Sequence, residues 1–180
     1  KLAQSSTVWL VMTDRSNRIT SGSGFFVTED IVATNYHVVD NATSGTAKIF
    51  GDKRLYDIEL VGVDKLNDLA LVRLKGASTP PLRLANDGSV EVGDAVYAIG
   101  NPKGLEGSFS DGIVSGLRRG RGESLIQITA PISPGSSGGA VLNDSGEVIG
   151  VAVGAIEGGQ SLNFAIPVAF LKSLMTSNGL

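Results

Sequence analysis

Ser133-Pro134-Gly135-Ser136-Ser137-Gly138-Gly139 decides between two folds. A proline among three glycines and three serines makes an irregular backbone, because glycine supplies the positive φ angles that other residues resist. Such a turn can lift one hydroxyl clear of the chain, and the candidate is Ser137. Read as a Gly-x-Ser-x-Gly elbow, Gly135 to Gly139 would call for a helix directly after it and a histidine downstream, on an α/β sheet. Read as a plain glycine-rich turn, it carries no chemistry. The rest of the chain has to choose.

Working outward, neither requirement of the elbow is met. Ser137 is followed by the short apolar runs Ala140–Leu142 and Val148–Val153, and the single histidine, His37, lies upstream. Short β-branched runs closed by Gly, Asn, Asp or Pro fill the chain: Val8–Met12, Gly24–Val27, Ile31–Thr34, Ala47–Phe50, Ile58–Val63 and Leu69–Leu74, then Ala95–Ile99, Phe109–Val114, Leu125–Thr129, the two runs after Ser137, and Leu162–Ile166. A break at Lys75–Pro81 separates six from six, which predicts two antiparallel barrels side by side, over residues 1–85 and 86–180. There is no residue-level repeat. From Pro167, the apolar residues Val168, Leu171, Leu174 and Met175 fall at helical spacing, with Asn178-Gly179 at the stop, so a short C-terminal helix is expected to pack its stripe on the second barrel.

Composition agrees with a turn-rich globular protein. The 180 residues include 24 glycines, only 18 % are charged, and the net charge of −3 argues against nucleic acid or an anionic membrane as a main partner. No apolar run is long enough to span a bilayer. The absence of cysteine excludes disulfides, thiolate metal sites and cysteine nucleophiles. Beginning at Lys1 with neither an initiator methionine nor a signal peptide, the chain reads as a mature form or an excised domain.

Serine is a weak nucleophile until a base takes its proton, and at neutral pH the usual base is histidine. His37 ends Thr34-Asn35-Tyr36-His37, just past an apolar strand. The base in turn needs a carboxylate to hold its tautomer. Asp68 is the choice, because in Asn67-Asp68-Leu69-Ala70 it stands at the mouth of a core strand; Asp64 is the nearest competitor. The order His37, Asp68, Ser137 on an all-β chain excludes a subtilisin-like arrangement and leaves the chymotrypsin-type one.

Six separated motifs then resemble one family: Gly22-Ser23-Gly24-Phe25-Phe26-Val27, Thr34-Asn35-Tyr36-His37-Val38-Val39, Asn67-Asp68-Leu69-Ala70, Val96-Tyr97-Ala98-Ile99-Gly100-Asn101-Pro102, Pro134 to Gly139, and Asn163-Phe164-Ala165-Ile166-Pro167. Together they resemble the protease domain of the HtrA (DegP-like) family of trypsin-like serine proteases. The resemblance implies an all-β fold of two perpendicular six-stranded barrels with a chymotrypsin-like cleft between them, and a serine endopeptidase acting on unfolded or exposed protein segments. It implies an oxyanion hole from the N–H groups of Gly135 and Ser137. It further implies a homotrimer and a periplasmic, extracytoplasmic or organellar location.

The same resemblance makes Ile132, Val153, Gly154 and Ala155 the substrate pocket, with ordinary barrel core as the alternative role for these four. Pro131 occupies the position at which trypsin-like enzymes carry an acid, so small or medium aliphatic side chains are expected at the cleaved position. The chain departs from the family in having Ser136 where asparagine usually precedes the nucleophile, and no segment after the terminal helix is expected to form the PDZ domain common in the family. Arg118-Arg119-Gly120-Arg121-Gly122 reads as a solvated hairpin loop, which the resemblance places among loops that relay activation. Gly104–Gly107 and Glu157–Gln160 are expected to be mobile for the same reason. The mechanism calls for no metal or cofactor. A non-catalytic binding module, a holdase or scaffold on the same barrels, is the competing class, and an esterase a third.

Overall fold

The structure is a computed structural model and describes residues 2–101, 107–119, 124–153 and 163–180. The first six strands are β1 (Thr7–Asp14), β2 (Ile19–Phe26), β3 (Ile31–Thr34), β4 (Ala42–Ile49), β5 (Tyr56–Asp64) and β6 (Leu69–Leu74). They close into a barrel in the order β1-β2-β3-β6-β5-β4. The next six, β7 (Ala95–Gly100), β8 (Ser108–Arg119), β9 (Ser124–Ile128), β10 (Ala140–Leu142), β11 (Val148–Val153) and β12 (Asn163–Pro167), close in the order β7-β8-β9-β12-β11-β10. Every neighbouring pair is antiparallel. The second barrel thus repeats the strand order of the first, a duplication visible in topology although none is visible in residues.

Side-chain alternation explains why some strands read as unbroken apolar runs. Successive residues of a strand face opposite ways, and in β6 the odd positions Leu69 and Leu71 enter a core between the barrels while Val72 and Leu74 enter the core of the first barrel. The same division holds for β3, where Ile31 and Ala33 face the shared core and Val32 the inner one, and for Phe25 and Phe26 at the end of β2. Across the boundary, Ala140 and Leu142 of β10 join the shared core, while Val141 turns into the second barrel. A strand buried on both faces has no polar face to display. Its sequence is therefore continuous rather than alternating.

The terminal helix α3 (Val168–Ser177) packs Val168, Leu171 and Leu174 into that shared core. The stripe meets the second barrel at Val148, Val151 and Ile166, and because Leu69, Leu71 and Val61 of the first barrel belong to the same cluster, the helix lies across both. Between the barrels, Leu82 N–H donates to the Phe26 carbonyl at 3.0 Å, whereas Ala85 N–H donates to Val148 at 2.9 Å and Leu84 forms an isolated parallel bridge with Val148. Two helical turns of four residues escaped the sequence reading, α1 (Leu2–Ser5) and α2 (Tyr36–Val39). Each is too short to show a helical period.

Candidate active site

The three candidate side chains lie just beyond the ends of strands that face the inter-barrel core, His37 after β3, Asp68 before β6 and Ser137 before β10. β3 ends at Thr34, β6 begins at Leu69, and the two run antiparallel with Thr34 opposite Ala70. The exit of one strand therefore stands beside the entrance of the other, which brings Asn35-Tyr36-His37 against Asp68. His37 Nδ1 lies 2.7 Å from Asp68 Oδ2, and the His37 backbone N–H donates to Asp68 Oδ1 at 2.8 Å. A carboxylate only accepts, so Nδ1 carries the proton in that contact, and in the neutral imidazole this leaves Nε2 with its lone pair. Both side chains reach the surface, His37 about half exposed and Asp68 about a third.

Asp68 has φ +53, the left-handed region that aspartate tolerates better than most residues but that still costs energy. Its own carbonyl repays part of that cost. Tyr36 N–H and Asn35 Nδ2 both donate to it at 3.1 Å. Residues 35, 36 and 37 thus clamp one aspartate at its backbone and its carboxylate together. Asn35 is fully buried, and its Oδ1 has no hydrogen-bond partner among the described residues. The rival Asp64 is occupied elsewhere, accepting from Asn67 N–H at 3.1 Å and from Asn67 Nδ2 at 2.7 Å. It staples the turn that presents Asp68.

Ser137 comes from the segment ahead of β10. Pro134 and Gly135 form the centre of a turn closed by Ser136 N–H on the Ser133 carbonyl at 2.9 Å, with Gly135 at φ +92. Proline second and a positive-φ glycine third is the pattern of a type II turn. The turn then doubles back: Gly139 N–H donates to Ser136 at 3.0 Å and Gly138 N–H to Ala152 at 2.9 Å. From the first barrel, Ser23 N–H donates to the Ser137 carbonyl at 2.8 Å. A β-carbon built at Gly22 would lie 2.6 Å from Val38 Cγ2, next to His37, and 3.2 Å from the Ser137 carbonyl oxygen. The Ser137 turn and the His37 turn therefore meet across one glycine.

Gly138 is the tightest point of that junction. It has φ +91, and a methyl there would run into the Ser23 carbonyl oxygen and stand 2.5 Å from Thr34 Oγ1. Gly138→Ala is expected to lose about 1–3 kcal/mol from backbone strain alone, with more from the collision. Urea unfolding measures the loss, and a midpoint equal to that of the parent would refute it.

The other sequence candidates divide. Ile132 is buried in the core of the second barrel, and Val153, at the end of β11, packs against the shared core. Gly154 and Ala155 lie outside the described residues, as do Gly104, Glu157–Gln160 and Gly120 to Gly122. Ile132 also borders a cavity of about 150 Å³ behind the turn, shared with Pro131, Ser136, Phe109 and Ala152, and no charged side chain is among the described residues that line it. Arg118 and Arg119 are exposed at the end of β8, where Arg118 Nε donates to Gln127. Among the described residues, no group of three or more His, Cys, Asp or Glu is placed to hold a metal ion.

Residues 22–151 match the trypsin-like peptidase domain. The chain is 40 % identical over 164 residues to the periplasmic serine endoprotease DegP of Escherichia coli K12, a match that covers 85 % of this chain and 34 % of that one. It is 35 % identical over 175 residues to the putative serine protease HhoA of a Synechocystis species, covering 91 % and 44 %. Of solved structures, the serine endoprotease of Yersinia pestis superposes with a TM-score of 0.85 at 31 % identity, over 98 % of this chain and 63 % of that one. The chain spans less than half the length of the curated relatives it matches, between 33 % and 44 % of the first of them.

Proposed function

Because the chain belongs to the trypsin-like peptidase family, we propose that it is a serine endopeptidase of the HtrA type, with Ser137 as nucleophile, His37 as general base and then acid, and Asp68 as the group that orients His37. The 2.7 Å contact between His37 Nδ1 and Asp68 Oδ2 carries this reading. With Nδ1–H held by the carboxylate, Nε2 is free to take the proton of the Ser137 hydroxyl as its oxygen attacks the scissile carbonyl. The N–H groups of Gly135 and Ser137 receive the negative charge that develops on the carbonyl oxygen. His37 then returns its proton to the leaving amine, and the acyl-enzyme formed on Ser137 is hydrolysed by water activated at the same Nε2. Asp68 remains a carboxylate throughout.

For the cleaved position, Pro131 offers neither a charge nor a donor, and the neighbouring cavity has no charged described lining. Both favour small or medium aliphatic side chains over lysine or arginine. Of the four residues that the family resemblance assigns to the pocket, Ile132 borders this cavity, Val153 packs against the shared core, and Gly154 and Ala155 lie outside the described residues. The substrates are unfolded or exposed protein segments, since an extended chain is what a cleft between two barrels can admit. Periplasmic relatives favour an extracytoplasmic compartment, and no helix among the described residues is long and apolar enough to cross a membrane. The family resemblance points to a homotrimer, which light scattering tests.

A fluorophosphonate separates this reading from a binding module on the same barrels. It is expected to label the protein once, at Ser137, and to stop hydrolysis of denatured casein in proportion. Native protein that takes no label would favour the binding module.

A further inference from the structure

We propose that the buried hydroxyl of Ser23, a residue of the first barrel, is a positioning residue for the oxyanion turn of the second. The proposal rests on the endopeptidase reading above.

Ser23 lies in β2 and is fully buried. Its Oγ donates to the Gly135 carbonyl at 2.6 Å and its backbone N–H donates to the Ser137 carbonyl at 2.8 Å. One residue thus holds two carbonyls on either side of Ser136. In a trans peptide the N–H points away from the C=O, so these two bonds fix the planes of the peptides 135–136 and 137–138. The peptide between them has its carbonyl tied to Gly139 N–H at 3.0 Å. Its other edge carries the Ser137 N–H, one of the two proposed oxyanion donors. Ser23 therefore sets the direction of that donor without touching substrate.

The direction of the Ser23 proton is determined by its neighbours. Asn101 N–H donates to Ser23 Oγ at 2.7 Å, and a backbone N–H can only donate. The single hydroxyl proton is left for Gly135. Asn101 is itself buried and its Oδ1 accepts from Gly107 N–H at 2.8 Å. One hydroxyl therefore ties three segments, β2, the exit of β7 and the nucleophile turn, at sequence separations of 78 and 112 residues. The restraint matters because Gly135 sits at positive φ and has no side chain to bar rotation of its peptide planes. Alanine at position 23 would fill nearly the same space and leave the Gly135 carbonyl and the Asn101 N–H without this partner.

The test compares the parent chain with Ser23→Ala and Ser23→Thr on a peptide substrate, a peptidyl boronic acid that forms a tetrahedral adduct, and the product peptide. A misplaced donor costs rate rather than ground-state binding. Ser23→Ala is expected to lower kcat by about tenfold to a hundredfold and to weaken the boronic acid in parallel. KM and product affinity stay within about twofold. Ser23→Thr, which keeps the hydroxyl, recovers most of the loss. A kcat for Ser23→Ala equal to that of the parent overturns the proposal, and so does an equal loss of product and boronic acid affinity, the sign of a merely structural role. If Ser23→Ala does not fold, Ser23→Cys carries the same comparison with a weaker donor of similar size, and a parent-like kcat there overturns it. A parent that neither cleaves peptide nor takes fluorophosphonate brings down the endopeptidase reading and this inference together. A working parent with an unaffected Ser23→Ala removes only the inference.

Discussion

Replacing Ser137 by alanine is expected to lower kcat on denatured casein or a peptide ester by roughly a millionfold and to abolish fluorophosphonate labelling. In the proposed mechanism the hydroxyl oxygen becomes part of the acyl ester, so its loss removes the covalent route rather than weakening it. What remains is binding and the oxyanion donors, which alone leave a residual acceleration of about 10³ to 10⁴ over water. The backbone of the turn should survive the change. Its hydrogen bonds run through the carbonyls of Gly135, Ser136 and Ser137 and the N–H groups of Ser136, Gly138 and Gly139, none of which the substitution alters. The thermal midpoint should therefore match that of the parent. A Ser137→Ala protein that still takes label, or that keeps more than about a thousandth of the parent rate, would remove the assignment.

Asp68→Asn is the second large effect, a fall of about 10⁴ in kcat with the fold intact. The two oxygens of Asp68 accept from two different donors, His37 Nδ1 and His37 backbone N–H. An amide has one oxygen. If it keeps the bond to the backbone N–H, its NH₂ faces Nδ1, and Nδ1 must then accept. The ring proton moves to Nε2, the atom that receives the serine proton in the proposed mechanism, and the base is lost through the wrong tautomer. Stability should change little, because the Asp68 carbonyl keeps its bonds from Asn35 and Tyr36 and asparagine tolerates φ +53 at least as well as aspartate. Asp64→Asn is the control, since among the described residues the Asp64 carboxylate accepts from Asn67 and not from His37. Loss of rate in Asp64→Asn equal to that in Asp68→Asn would refute the assignment of roles.

Strands were legible in the sequence wherever burial was strong. Ile31–Thr34, Leu69–Leu74, Ala140–Leu142 and Val148–Val153 have in the structure the ends that their apolar runs mark. β4 and β2 begin earlier than their apolar residues suggest, at Ala42 and Ile19, because Ala42-Thr43-Ser44-Gly45-Thr46 and Ile19-Thr20-Ser21 lie on the more exposed parts of the first barrel and need no core-facing pattern. Ladder hydrogen bonds shape those residues instead. Ser23 was visible only as one letter of Gly22-Ser23-Gly24, with nothing in its neighbours to suggest that its hydroxyl reaches a turn 112 residues away.

By itself, the sequence determined the number of strands, the break between the two groups of six, and the order histidine, aspartate, serine that excludes an elbow on an α/β sheet. These are properties of local pattern and chain order, which do not depend on which strands adjoin. Tertiary structure decided what depends on which strands adjoin. Asp68 rather than Asp64 meets His37 because β3 pairs with β6 in one particular register. The turn at Ser133–Gly139 meets the histidine loop because Gly22 and Gly138 leave no side chain between the barrels at their contact. Ser23 acquires its partners from closure of both barrels. A hydrogen bond is a relation between two groups, and when they are far apart in the chain, neither group's own stretch of sequence contains it.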